Sequence, residues 1–336
     1  MSKVGNRFSA RAGDPGSARL SLPCNLQIGV RAAGPKPIRW EAGVAAAPTV
    51  RRRRLGIELR RLRERLGHTV EEIADRLDWS PSKLSRIENA RIGVRVSDVQ
   101  LLLKLYRVGE GHQGEVLALA QAATEQGWWA EYRDVLSGEF GTYVALEDEA
   151  RTALTFGTYA IPGLLQNRQY AHRILDSGRI IAVSTPRQVE RRLDLRMRRQ
   201  DVLRRENPLT LSAVIDESVL LRTVGDRDIM RGQMLDLIEL AELPNVHVHV
   251  LPMDVDREPI FADTFTLLEF APAYDVTFPD AVYLDNLLTM AILQSDDATH
   301  MYRLCWDALR SVSLSADDSL RRISQAAEEW GRAGPR

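Results

Sequence analysis

Lys83 and Arg86 stand three residues apart, with Ser80, Ser82, Ser85 and Asn89 interleaved around them. Leu84 and Ile87 fall in the same stretch at a spacing that places both on one side of a helix. The other side then presents two cations, the Ser82 and Ser85 hydroxyls and the Asn89 amide. These are groups that read base edges in a DNA groove. An arginine can grip guanine O6 and N7 through two parallel hydrogen bonds, and a lysine can do the same or contact a phosphate. Side chains near the start of such a helix reach the bases best. Arg91 and Arg95 follow it, and the run Arg51-Arg52-Arg53-Arg54 precedes it. These cations are expected to add phosphate attraction that is blind to sequence.

Such side chains need elements to hold them. Thr69-Val70-Glu71-Glu72 has the form of a capping box, in which Thr69 caps the free amides and Glu72 reaches back. The amides that open this helix also suit a phosphate, which adds Thr69 to the DNA-contact set. Asp78-Trp79 interrupts, and Ser80 with Pro81 then reads as the N-cap and first residue of the next helix. Ala74 is small where the two helices must cross, and Leu77, Leu84 and Ile87 form the wedge between them. Upstream, Leu55, Leu59, Leu62 and Leu66 line one helical face that Gly67 ends. Downstream, Ser97-Asp98-Val99-Gln100 reads as a second capping box, opening a helix with Val99, Leu102, Leu103 and Tyr106 inward. A fifth helix near 112–126 buries Val116, Leu119 and Ala123. The spacing thus predicts a five-helix domain over 49–126.

The formal charge of −1 over 336 residues hides a division. Residues 1–50 carry seven Lys and Arg against two Asp and Glu, residues 51–107 fifteen against eight, and residues 108–336 twenty-three against thirty-six. A basic first third beside an acidic remainder points to different partners for the two. Cys24 and Cys305 are the only cysteines, which excludes a disulfide scaffold or a four-cysteine zinc site and suits a reducing cytoplasm. No apolar run nears the ~18 residues of a membrane helix, so no membrane partner is expected. Residues 1–48 scatter Gly, Pro, Ser and Ala without a period and read as a disordered basic extension, either a flexible arm or a start placed too far upstream.

From 127 to 336 the pattern is mixed. Helices are expected near 130–150, 167–177, 186–205, 227–241, 296–311 and 317–331, and strands near 153–159, 209–215, 245–251, 263–270 and 281–285. They do not alternate regularly, so the expected architecture is mainly α: a five-helix helix-turn-helix domain followed by an α+β domain. His247 and His249 share a strand face, yet valines alternate with them and no third ligand is evident, so no metal site is expected. The arginine-rich stretch 187–205 keeps an apolar stripe of Val189, Leu193, Met197 and Leu203, with Asp194–Arg198 and Asp201–Arg205 at pairing distance along a helix. Aromatic and apolar groups around Trp128, Trp129, Phe156, Tyr159, Leu164 and Leu165 fit a packed core better than a ligand pocket. No phosphate loop, metalloprotease motif or nucleophile elbow occurs, so neither an enzyme nor a cofactor is expected.

Ile73-Ala74-Asp75-Arg76-Leu77, followed by Ser80 through Asn89, resembles the Xre-type (Cro/C1-like) helix-turn-helix regulators. Asp78 stands where that family often has Gly, and Asp tolerates the left-handed conformation. The resemblance implies that Glu88 pairs with Arg60 or Arg63 of the first helix. Gly127-Trp128-Trp129, Leu146 to Ala150, Ile161 to Gln166 with Tyr170-Ala171, Arg196 to Gln200, Ile215 to Leu220, Val246 to Pro252 and Asp263 to Leu268 are similar to landmarks of the C-terminal domain in an actinobacterial family of antitoxin-like transcriptional regulators. Asn167 replaces that family's Thr and serves equally as a helix cap. The resemblance implies a cytoplasmic, nucleoid-associated regulator that binds double-stranded DNA. Its C-terminal domain would dimerise and bind a partner or effector, such as a small toxin-like protein from an adjacent gene. One helix-turn-helix makes few base contacts, so a homodimer is expected. The alternative is a protein that chiefly sequesters a small basic partner, with DNA binding as autoregulation.

Overall fold

The computed structural model describes residues 49–136, 138–178, 184–254, 262–272, 276–285 and 290–332. The expected disordered extension at 1–48 lies outside the described residues. All described residues fall within one compact unit.

The first helices follow from caps and apolar spacing. Thr69 opens α2 (Val70–Arg76) with a complete capping box, and Ser80 caps α3 (Pro81–Glu88). They pack with α1 (Val50–Arg65), α4 (Val96–Leu105) and α5 (Glu110–Ala122). The first helix ends as expected at Gly67, whose φ of 70° suits a residue without a Cβ. Leu66 lies beyond that end and is exposed, so it leaves the apolar stripe. The box expected at Ser97 does not form: α4 starts two residues earlier, with Arg95 as an N-cap that makes no side-chain bond.

The second region opens with a single turn of 3-10 helix, Trp128–Tyr132, and α6 (Gly138–Glu149). β1 (Thr152–Gly157), a 3-10 turn at Gly163–Leu165, α7 (Arg168–Ser177), α8 (Pro186–Arg199) and β2 (Thr210–Asp216) follow. Asn167 caps α7 through the Tyr170 amide at 2.8 Å. Next come α9 (Glu217–Leu221), α10 (Arg227–Leu240), β3 (Val246–Leu251), β4 (Phe265–Glu269), β5 (Ala281–Asp285) and β6 (Met290–Leu293). Finally α11 (Asp296–Val312) and α12 (Ala316–Gly331) close the fold. Helix dominates, and the whole is an all-helical N-terminal part followed by an α+β part.

The six strands form one mixed sheet in the order β3-β2-β1-β4-β5-β6. β1, β2 and β3 are parallel, and β4, β5 and β6 extend it antiparallel from the other side of β1. Side chains alternate between the two faces. Ala153, Leu211, Ala213 and Val248 join the large core with Met230, Met234 and Leu237 of α10 and Ile323 and Ala326 of α12. Phe156, Val214, Leu267 and Val282 pack with Trp306 and Leu309 of α11. Among the described residues, no helix is long and apolar enough to cross a membrane.

The two regions share their cores. Val50 of α1 packs in the large C-terminal cluster, and Val276, between β4 and β5, packs in the helical one. The division at residue 126 is therefore a change of architecture within one packed unit.

Candidate nucleic-acid interface

α2 and α3 meet at a tight turn in which Asp78 takes a φ of 55°. A short polar side chain tolerates that left-handed conformation, so Gly is not required there. Ala74 is fully buried at the crossing, as its size predicted. A second close approach lies between α1 and α3: a Cβ on Gly56 would sit 2.3 Å from the Glu88 carbonyl oxygen. A lone glycine within an apolar helical repeat is the signal that could have revealed it.

A buried ion pair fixes the far end of α3. Arg63 donates from Nε to Glu88 Oε1 at 2.7 Å and from Nη2 to Oε2 at 2.9 Å. Its Nη1 donates to the His68 carbonyl at 2.8 Å. Hydrogen bonding to Glu88 raises the Arg63 pKa in spite of burial. The partner of Glu88 is thus Arg63; Arg60 pairs with Glu64 instead. Both charges are satisfied bidentately, the geometry that lets a buried pair persist.

The outward face of α3 presents the predicted set with unequal freedom. Arg86 and Ser82 are exposed, and the Arg86 guanidinium makes no hydrogen bond or ion pair with a described residue. Lys83 is engaged: its Nζ lies 3.1 Å from Asp98 Oδ2 of α4 and 3.5 Å from the centre of the Trp79 ring. Asn89 donates to the Ser85 carbonyl at 2.7 Å, which ties that amide to its own helix. The hydroxyls of Thr69 and Ser80 accept from the Glu72 and Lys83 amides, each at 3.2 Å, so they act as caps. Hydrogen bonding from the Thr69 amide holds the Glu72 carboxyl below its ordinary pKa. Arg91 and Arg95, past the helix, are exposed. Trp79 and Asp98 were not singled out from the sequence, because their role arises only when α4 folds back beside α3.

The arginine run of α1 departs from its expected role as a free phosphate-binding surface. Arg54 is buried and donates to the Ala271 carbonyl at 2.7 Å and the Val276 carbonyl at 3.3 Å, in the connection between β4 and β5. Arg51 bridges Glu125 at 2.6 Å and Glu149, at the end of α6, at 2.8 Å. Arg53 donates to Gln294 at 3.3 Å, and burial lowers its pKa. The Arg52 guanidinium makes no hydrogen bond or ion pair among the described residues, and its Nε is buried. The reason is position: α1 begins against the acidic, carbonyl-rich edge of the α+β region, and its cations are consumed in docking.

The C-terminal calls resolve similarly. His249 is buried and its Nδ1 lies 3.2 Å from the Leu314 carbonyl, while burial, followed by the nearby Arg310, pulls its pKa down to about 4. Asp194 pairs with Arg168, Arg198 with Asp201 three residues on, and Arg205 with Asp148, so the two i,i+4 pairs expected within 187–205 are not the ones formed. Trp129, Phe156, Leu164 and Leu165 are core residues, and Leu164 also lines a cavity together with the exposed Tyr159.

Capped helices of this length, joined by a left-handed turn and braced by three others, define a helix-turn-helix protein, here fused to an α+β domain. A family model described as a helix-turn-helix domain matches residues 54–116. A second, described as a domain of unknown function (DUF5753), matches residues 140–325, more than half of the chain, and the chain belongs to that family. No curated protein and no solved structure matches the chain.

Proposed function

We propose that this protein is a sequence-specific regulator of transcription, a homodimer of the Xre-like, antitoxin-like kind, that reads double-stranded DNA with α3. The observation that carries the reading is Arg86: a cation without an internal partner, projecting from a short helix whose two ends are fixed by the Ser80 cap and the Arg63–Glu88 pair. That is the rigid, pre-aimed presentation that base readout needs. Lys83 would exchange Asp98 for DNA, and Ser82 and Ser85 complete the base-facing set. Arg91 and Arg95 would supply phosphate contacts. The protein acts in the cytoplasm on the nucleoid and is not an enzyme; the α+β region serves dimerisation and partner or effector binding.

Genome-wide mapping of bound sites tests this. Discrete peaks sharing an inverted repeat, with half-sites about one helical turn apart, are the expected result. Uniform or absent enrichment sinks the reading. The acidic balance of residues 108–336 supports a second function, capture of a small basic protein encoded nearby. Affinity purification of the full chain with its neighbouring gene products checks that; absence of any such product in the eluate removes it.

A further inference from the structure

The α+β region encloses a cavity of about 310 Å³ on the sheet face that carries Ala153, Thr155 and Gly157. That lies at the low end of the volumes that take small organic ligands. Its walls are largely apolar and aromatic, including Phe140, Tyr143, Ile174 and Tyr283. Tyr143 and Tyr283 stack with ring centres 4.0 Å apart, a flat wall suited to a flat ligand. A smaller cavity of about 170 Å³ adjoins it, sharing Phe140, Arg196 and Asp285.

Two arginines of α8 line the larger cavity, and they differ. Arg199 is neutralised within the protein: it donates from Nε and Nη2 to the two Glu147 oxygens, each at 2.7 Å, and Tyr143 adds a third bond to that carboxylate at 2.6 Å. Arg196 has no such hydrogen-bonded counter-charge; Asp285 acts on it at longer range and favours its charged form. It donates from Nη1 to Gln166 Oε1 at 2.7 Å, a neutral partner, and forms no ion pair among the described residues. It is partly buried and lines the cavity. Burial pulls its pKa down to about 10, so it stays charged at neutral pH. A partly buried cation whose hydrogen-bond partner is a neutral amide keeps donors that an anion entering the cavity can use. Gln166 is held in turn by the Ile161 carbonyl at 2.6 Å, which fixes the guanidinium in place. The Tyr283 hydroxyl, on the same wall, has no hydrogen-bond partner among the described residues.

The geometry points to a binding site for a small carboxylic acid with a flat apolar body, its carboxylate on the Arg196 fork and its body against Tyr283 and Phe140. A planar guanidinium matches a carboxylate through two parallel bonds. Asp285 limits the ligand to a single negative charge. Desolvation raises the Asp285 carboxyl above its ordinary pKa, while Arg196 and Arg199 pull it the other way. Three of the segments that carry the sequence resemblance, Ile161 to Gln166, Arg196 to Arg199 and Thr264 to Thr266, line this one cavity, and a fourth supplies Glu147, which holds Arg199.

The test uses the full chain without DNA, so it stands or falls separately from the DNA reading. Titration calorimetry with 1-naphthaleneacetate is compared with the neutral 1-naphthaleneethanol. Saturable binding of the acid at one per chain is expected, weakened about tenfold or more by Arg196→Gln, as loss of a charged hydrogen bond implies. The alcohol should bind wild type and Arg196→Gln alike. Ile174→Trp, which fills the cavity without touching a charge, should abolish binding of both, and thermal melts confirm that each variant is folded. No binding of the acid up to millimolar concentration, or binding unchanged by both variants, overturns the proposal.

Discussion

α1 opens with four consecutive arginines, three of them tied up by other groups, whereas α3 carries a single Arg that is exposed and without a partner among the described residues. In α1, Arg51, Arg53 and Arg54 are drawn into ion pairs and carbonyl contacts with the α+β region. In α3, Arg86 meets no internal partner, and Lys83 is held by one exposed-side carboxylate, Asp98. Charge density along the sequence therefore does not say which cations stay free, because their partners meet them only in three dimensions. The same contrast recurs within α8, where Glu147 claims Arg199 and leaves Arg196 facing a cavity.

The largest effect should come from the brace beneath α3. Glu88→Ala leaves the Arg63 guanidinium buried without its partner, which costs about 3–5 kcal/mol. Chemical denaturation should show the helical region melting first, with DNA binding lost in parallel. If Glu88→Ala is as stable as wild type, the brace does not position α3. Gly56→Ala comes next. Its new Cβ would approach the Glu88 carbonyl oxygen to 2.3 Å, and the helices must part at a cost of about 1–3 kcal/mol. A melting temperature within error of wild type would show that the α1–α3 contact gives way easily.

Among the elements, those with a strong local pattern were legible. The α2–α3 pair, its caps and its turn were readable from Thr69, Ser80, Pro81 and Ala74, and eleven of the later helices and strands lie close to where periodicity places them. β6 was not foreseen, because Met290–Leu293 is four apolar residues with no alternation. The partners of charged groups were the least readable. Arg54 meets carbonyls more than 200 positions away, and Arg199 meets Glu147 across 52. No local spacing encodes such pairings.

The smallest predicted effect concerns pH. His112 Nε2 lies 2.7 Å from the buried Glu58 of α1 and its Nδ1 lies 3.1 Å from Glu115. Hydrogen bonding to Glu58 raises the His112 pKa above its ordinary 6.5, against burial. A raised folded pKa means the stabilisation is complete below the ordinary value and fades as pH climbs through the folded one. The side chain is a quarter exposed, so the effect should stay below about 1 kcal/mol. Wild type should exceed His112→Gln in melting temperature at pH 5.5, and the gap should narrow by pH 8.5. A gap constant across that range would show that His112 does not hold the charge.

The contrast between α1 and α3 meets its most direct test in salt-dependent binding to a protected site upstream of the protein's own gene, with wild type, Arg86→Ala and Arg54→Ala compared in one titration series. Arg86→Ala should lose about 1–3 kcal/mol of specific affinity. Arg54→Ala should keep the wild-type dependence of affinity on salt, because its guanidinium serves the protein interior. Unchanged affinity for Arg86→Ala, or a salt slope reduced by about one for Arg54→Ala, would contradict the account.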